Sequence, residues 1–415
     1  MTRYQRFQST DISGGVCKLK IIRIGNFSFE LKKGITRFFA VCAVLSLLVH
    51  AACIWTVMGK SPGKEYKEKF ASSVNYHPDK EVFENRIPDL MEKMNERVYT
   101  WNNISEWFKS GIDREPECSL PEIRPDIAEF TKPSNDLKVI WFGHSSLLLN
   151  INGVVVLIDP VFSKSASPFG FIVKRFQPAV LQPKDLPKID YILISHDHYD
   201  HLDMKTIEFF KDKKSRFITP LGVGSHLKSW GISGERITEK DWWETAKFNG
   251  IEFIAAPAQH FSGRNGIRQN TTLWASWIIR SKNSNIYFSG DSGYDIHFKE
   301  IGERYGPFDI AFLESGQYNK TWKEVHMMPE EAVLAFYDLK AKKYFPIHWG
   351  MFSLSFHSWY DPVERLNLMS EKKKFELIVP KLGQIVNIKR YRTQENWTPG
   401  KVQTASLSAD RCKAM

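Results

Sequence analysis

Residues 196–201 read His196-Asp197-His198-Tyr199-Asp200-His201 and follow directly on the apolar run 189–195. Alternate residues of an extended segment point the same way, so His196 and His198 at a strand end can converge on one point. On a helix the two would diverge. A turn after them aims Asp200 and His201 at a second point a few ångströms away. Neutral imidazoles with a carboxylate are the ligand set that suits divalent zinc. A polar surface loop is the competing explanation, and the density of histidine at a strand end argues against it.

One loop supplies too few ligands, and three others end apolar stretches downstream. His260 closes 251–260, Asp291 closes 285–291 and His348 closes 343–348. Active sites gather where loops leave the ends of strands. Singly each residue is unremarkable, since a strand-end histidine is more often structural and Asp after Gly is a common turn. Together they predict a dinuclear centre. His196, His198 and His260 would hold one ion, Asp200, His201 and His348 the other, and Asp291 would bridge them.

This constellation, in this order, resembles the metallo-β-lactamase fold family. Within it, the stretch 193–203 is similar to the core motif of the N-acylphosphatidylethanolamine-hydrolysing phospholipase D group. Asp159-Pro160-Val161-Phe162-Ser163, Lys174-Arg175-Phe176, Asp241-Trp242-Trp243-Glu244, Glu300-Ile301-Gly302, Gly306-Pro307-Phe308-Asp309 and His326-Met327-Met328-Pro329 follow the same group's order. The segment 315–322 departs from it, which bears on substrate rather than on metal chemistry. The resemblance implies an α/β, four-layer αββα sandwich and two zinc ions per chain. It implies attack by a zinc-bound hydroxide, with Asp200 and Asp291 shaping the charge around it and His326 giving the leaving group its proton. Lys174, Arg175 and Tyr318 would meet the phospholipid. The expected reaction is hydrolysis of N-acylphosphatidylethanolamine to phosphatidic acid and an N-acylethanolamine. A lactonase on the same fold is the alternative, because both need an activated water. An interaction protein with a degenerate site is disfavoured by the complete ligand set.

The chain has 415 residues, 42% apolar and 25% charged, ordinary values for a folded protein. Its net charge of +10 suits nucleic acid or an anionic membrane surface. No zinc-finger, RNP-type or basic-helix pattern is present, so the expected partner is a lipid bilayer and not nucleic acid. Residues 38–58 carry no charge at neutral His50, and 21 residues at helical rise would cross a bilayer core. They are expected to form an uncleaved transmembrane helix, a single-pass N-terminal anchor. Lys and Arg near its two ends tie in number, so sidedness rests on the short arm staying inside, with the catalytic domain on the non-cytoplasmic face. Five cysteines show no disulfide framework or Cys-X-X-Cys site. Oligomeric state is open, a homodimer included.

The expected organisation is a polar arm at 1–37, the anchor at 38–58, and a linker with an accessory helix at 59–130. The hydrolase domain spans 131–395, and a disordered tail spans 396–415. The accessory helix, 89–109, should pack through Leu90, Met94, Val98, Trp101, Ile104 and Phe108.

Overall fold

The computed structural model describes residues 54–98, 100, 105–106, 113–266 and 268–397, with Phe39, Cys42 and Val44. Residues 1–53 and 54–415 form separate units. Most of the run 38–58 lies outside the described residues. Among the described residues no helix is long and apolar enough to cross a membrane, so the expected transmembrane helix has no support there.

Early in the second unit the short helix Lys67–Ala71 leads into a ribbon of β1 (Tyr76–His77) and β2 (Val82–Phe83) and the helix Leu90–Val98. Leu90 and Met94 pack with Val325, while residues 101–104 and 107–112 are not described, so the far end of the expected helix is untested. Seven strands then form one mixed sheet: β3 (Lys138–Trp141), β4 (Leu147–Ile151), β5 (Val154–Ile158), β6 (Tyr191–Leu193), β7 (Arg216–Pro220), β8 (Ile237–Lys240) and, from the far end of the chain, β16 (Val386–Asn387). The other sheet holds β9 (Thr245–Phe248), β10 (Ile251–Ala256), β11 (Ser276–Arg280), β12 (Asn285–Phe288), β13 (Ile310–Glu314), β14 (Lys343–Ile347) and β15 (Glu376–Leu377).

Both sheets run antiparallel at one side and parallel at the other. Strands β3 to β5 pair antiparallel and β5 to β8 parallel, while β9 to β12 pair antiparallel and β12 to β15 parallel. The chain is thus two similar halves, a likeness too weak to read in the sequence. Parallel strands covered on both faces read as unbroken apolar runs, as Tyr191–Leu193 of β6 and 310–313 of β13 do. In β4, Leu147 and Leu149 face the core between the sheets, and Leu148 joins an outer cluster with Ile207, Phe210 and Leu227. Helices therefore cover the outer face of the first sheet. Phe298, Ile301, Val333 and Phe336, from helices His297–Tyr305 and Pro329–Asp338, cover the second. Four layers result, as expected.

Two motifs that carried the resemblance prove to be packing devices. Asp241-Trp242-Trp243-Glu244 crosses from one sheet to the other, between β8 and β9, where Trp242 Nε1 donates to Trp274 O at 2.7 Å. Gly302 lets two helices touch, since a Cβ there would lie 1.9 Å from Asp338 O. Backbone cannot yield as a side-chain tip can, so Gly302→Ala should cost about 3 kcal/mol. Thermal or urea unfolding measures this, and an unchanged melting curve would contradict the close approach.

The chain end departs from expectation. Asn396 pairs with Val379 N and Leu377 O, and Trp397 stacks on Trp349 and Trp359, so packing continues past residue 395. A single aromatic plug has no periodicity to read. Cys118 is disulfide-bonded, a tie the cysteine spacing did not reveal.

Candidate metal centre

The loops after β3, β5, β6, β10, β12, β13 and β14 meet at one end of the two sheets. The six-residue histidine loop follows β6 and delivers its side chains by parity. His196 and His198 turn to the site, while Asp197 turns away and accepts from Thr272 Oγ1 at 3.0 Å and Gly263 N at 2.7 Å. Burial opposes charge on Asp197, but its hydrogen bond to His226 outweighs that and keeps it a carboxylate. It holds the loop that carries His260. Asp291 is aimed by Gly290, whose φ of +57° and contact with Ser195 leave no room for a Cβ.

His196 Nε2 lies 2.9 Å from His198 Nδ1, and His260 Nε2 lies 3.2 Å from the same atom. On the other side, Asp200 Oδ2 is 3.4 Å from His201 Nε2 and 3.3 Å from His348 Nε2. Asp291 Oδ2 sits between the two sets, 3.8 Å from His196, 3.7 Å from His260 and 3.1 Å from both His201 and His348. All seven residues expected as ligands are thus brought together.

These donors fit metal ions. Three imidazole nitrogens converge at hydrogen-bond distance, and neutral rings cannot satisfy one another with lone pairs alone. His201 Nε2 and Asp291 Oδ1 are buried with no hydrogen-bond partner. Such orphaned atoms are costly unless a ligand is meant to fill the gap. The donor groups cluster within 4.8 Å, and a buried His and Asp set of this kind suits zinc. The charge pattern agrees. Burial holds His196 and His260 well below the usual imidazole range, as neutral donors. His201 and His348 resist burial because Asp291 and other carboxylates raise them well above it. Asp291 in turn is kept well below the carboxylate range, burial being outweighed by His201 and His348.

Behind the ligands stand three residues that the sequence reading missed. Asp159, after β5, is fully buried, receives His201 Nδ1 at 2.8 Å and is fixed by Ser195 N at 2.7 Å. Glu314, the last residue of β13, lies 2.8 Å from His326 Nδ1 and accepts from Met327 N at 2.6 Å. His144, after β3, is held neutral by burial and by His348, its pKa pushed down to about 3, and its Nε2 donates to Asp200 at 2.8 Å. Partners of this kind fix the tautomer and direction of a metal ligand. All three stand at strand ends, so the rule that found His260, Asp291 and His348 would have found them too.

His326 stacks on His348 with centroids 5.0 Å apart and lies 5.1 Å from His260. With Nδ1 held by Glu314, its Nε2 has no hydrogen bond among the described residues. The expected lipid contacts fare differently. Arg175 donates to Val161 O at 2.8 Å and Phe142 O at 3.1 Å and lies over the Phe352 ring. Burial pushes its pKa down to about 10. Both terminal nitrogens of its guanidinium are thus engaged by main-chain carbonyls. Tyr318 is buried, stacked on His357, with its hydroxyl donating to Asp361. Lys174 is exposed on the loop after β5.

A beta-lactamase superfamily domain matches residues 155–349, the span that carries the centre. An N-acyl-phosphatidylethanolamine-hydrolyzing phospholipase D of Caenorhabditis elegans is 35% identical over 56% of this chain and 70% of its own. A mitochondrial protein of Saccharomyces cerevisiae with the same name is 36% identical over 73% of this chain and 71% of its own. The chain belongs to the metallo-β-lactamase fold family. It is a metal-dependent hydrolase of that superfamily. An uncharacterized protein of Mycobacterium tuberculosis is 41% identical over 70% of this chain and 78% of its own. In structure, a possible metal-dependent hydrolase of Veillonella parvula superimposes with a TM-score of 0.50 at 15% identity. It covers 61% of this chain and 99% of its own, a likeness of fold alone.

Proposed function

We propose that this metallo-β-lactamase family member is a membrane-associated dizinc phosphodiesterase. It hydrolyses N-acylphosphatidylethanolamine to phosphatidic acid and an N-acylethanolamine. The observation that carries the metal chemistry is the place of Asp291 Oδ2 between the two donor sets. The worm and yeast relatives, each matched over more than two thirds of its length, support the substrate. The disulfide at Cys118 supports an oxidising compartment for the domain.

His196, His198 and His260 would hold one ion and Asp200, His201 and His348 the other, with Asp291 shared. When bound, such a pair would supply Lewis acidity toward a phosphoryl oxygen and lower the pKa of a bound water. The protein's own groups then set direction. Asp159 holds His201, and His144 takes one oxygen of Asp200, so neither ligand turns. Water oxygen bonds to phosphorus and the bond from phosphorus to the ethanolamine oxygen breaks. His326, its Nδ1 fixed by Glu314, delivers a proton from Nε2 to that leaving oxygen.

The test is hydrolysis in labelled water. Label must appear in phosphatidic acid, and the N-acylethanolamine must keep its original oxygen. Label in a released carboxylate would place attack on carbonyl carbon and overturn the phosphodiesterase in favour of a lactonase or amidase. Replacing His326 with Gln should lower kcat about 100-fold, the lower range for a general acid, with metal content unchanged. Turnover near that of the parent protein would remove His326 from the reaction.

A further inference from the structure

Between Lys164 and Arg175 the chain leaves β5 and makes a narrow loop. Its base is tied by Arg175 N to Lys164 O at 2.9 Å and by Ala166 N to Val173 O at 3.0 Å, and Ser165 pairs antiparallel with Lys174. The tip is a tight turn in which Ile172 N donates to Phe169 O at 3.0 Å. Three apolar side chains project from it into solvent, with Phe171 72%, Ile172 44% and Phe169 38% exposed. A soluble surface places single apolar residues outside without consequence, but three on one four-residue turn form a patch that water disfavours.

Two residues of this tip, Phe169 and Ile172, have their backbone groups provided for without water. Ser165 Oγ donates to Ile172 O, Ser167 Oγ also reaches Ile172 O at 3.0 Å, and Phe169 N donates to Ser167 Oγ at 3.2 Å. Each polar group satisfied from inside lowers the cost of taking the turn out of water. Lys164, Lys174 and Lys205 stand exposed around its base, and none makes an ion pair among the described residues. An apolar tip above a collar of cations is complementary to an anionic bilayer surface, with rings among the acyl chains and ammonium groups at the phosphates.

The position agrees. A crevice of about 130 Å³ beside the loop is lined by Lys164, Gly170, Lys205, Tyr199 and Val57. Tyr199 lies inside the histidine loop, next to Asp200. Val57 lies at the end of the apolar run 38–58, where Trp55 is 76% exposed. Segment 56–60 is fastened here, Trp230 Nε1 donating to Thr56 O at 2.9 Å and Arg264 to Val57 O at 3.0 Å. The same Arg264 donates to Asp197 O at 2.6 Å and Leu202 O at 2.8 Å, both within the metal loop. The aromatic tip, the end of the apolar run and the histidine loop therefore adjoin one crevice.

We infer that the loop 165–174 inserts Phe169, Phe171 and Ile172 into an anionic bilayer and so lowers the metal centre onto the lipid surface. The inference rests on the bilayer partner in the proposed function and not on its chemistry. The test uses the full-length chain reconstituted with vesicles of phosphatidylcholine and phosphatidylglycerol. An environment-sensitive dye is attached at Phe171→Cys, and at Lys282→Cys as a control. Lys282 lies in the turn before β12, at the opposite end of that strand from Asp291. The unsubstituted chain, labelled in parallel, serves as the blank for the native cysteines, Cys42 among them.

Dye at 171 should shift to the blue and be quenched several-fold more strongly by nitroxide on the acyl chains than dye at 282. The added substitutions Lys164→Glu and Lys205→Glu should weaken that quenching on anionic vesicles. Equal quenching at 171 and 282 overturns the proposal, and so does quenching at 171 that is indifferent to both charge reversals. If the loop stays in water while labelled oxygen still enters phosphatidic acid, the loop assignment fails alone. If the loop inserts and no phosphodiester is cleaved, the reaction assignment fails alone.

Discussion

Stripping the protein with a chelator will abolish hydrolysis, and adding zinc back will restore it with two ions per chain by elemental analysis. The loss should be complete, because nothing else among the described side chains near the centre can activate water. Most of the imidazoles there are spent on one another or on carboxylates. Loading will also stabilise the fold, by about 4 kcal/mol when free zinc exceeds its dissociation constant a thousandfold. The metal-free protein should show a proton signature. His201 and His348 are raised well above the ordinary imidazole range, so at neutral pH both carry protons that coordination must expel. Loading in weak buffer will therefore acidify the solution, by a proton from each. Apparent affinity will fall as pH drops below their raised pKa values, since more protons must then be displaced. Zinc uptake without proton release would contradict the charge pattern of the centre, and full activity in chelator would remove metal from the reaction.

Asp291→Asn should be the most damaging single ligand change. Among the described residues, Asp291 Oδ2 is the carboxylate oxygen within 4 Å of imidazole nitrogens from both sets, and Asn replaces its charge with a neutral amide. A terminal ligand can be covered by water, whereas loss of the shared one frees the ions to separate. We expect turnover to fall on the order of 10³-fold, about 4 kcal/mol of transition-state stabilisation. Metal content should drop below two per chain. The unfolding transition of the metal-free variant checks that the fold survives. A variant that keeps both metals and most of its turnover would place the shared ligand elsewhere.

The ligands were legible because their signal is local. Parity along β6 sets His196 and His198 on one side and Asp197 on the other, and no tertiary contact is needed to foresee it. Apolar runs ending in His260, Asp291 and His348 likewise announce strands with a polar residue at the mouth. The sequence by itself therefore determined which side chains gather at the candidate centre, the mixed sheets under helices and the net positive charge.

Only the tertiary structure decided what each residue faces. Two sheets must pack before Asp291 from one half comes within 3.1 Å of His201 from the other. The same packing turns Glu314 toward His326 and Asp159 toward His201, and it commits Arg175 to two carbonyls that lie far apart in sequence. Trp397 was read as tail because the rings it stacks on, Trp349 and Trp359, come from other parts of the chain. Residue type and period give direction within one element. Which partner waits at the end of a side chain depends on close packing between elements, and that information is spread over the whole sequence.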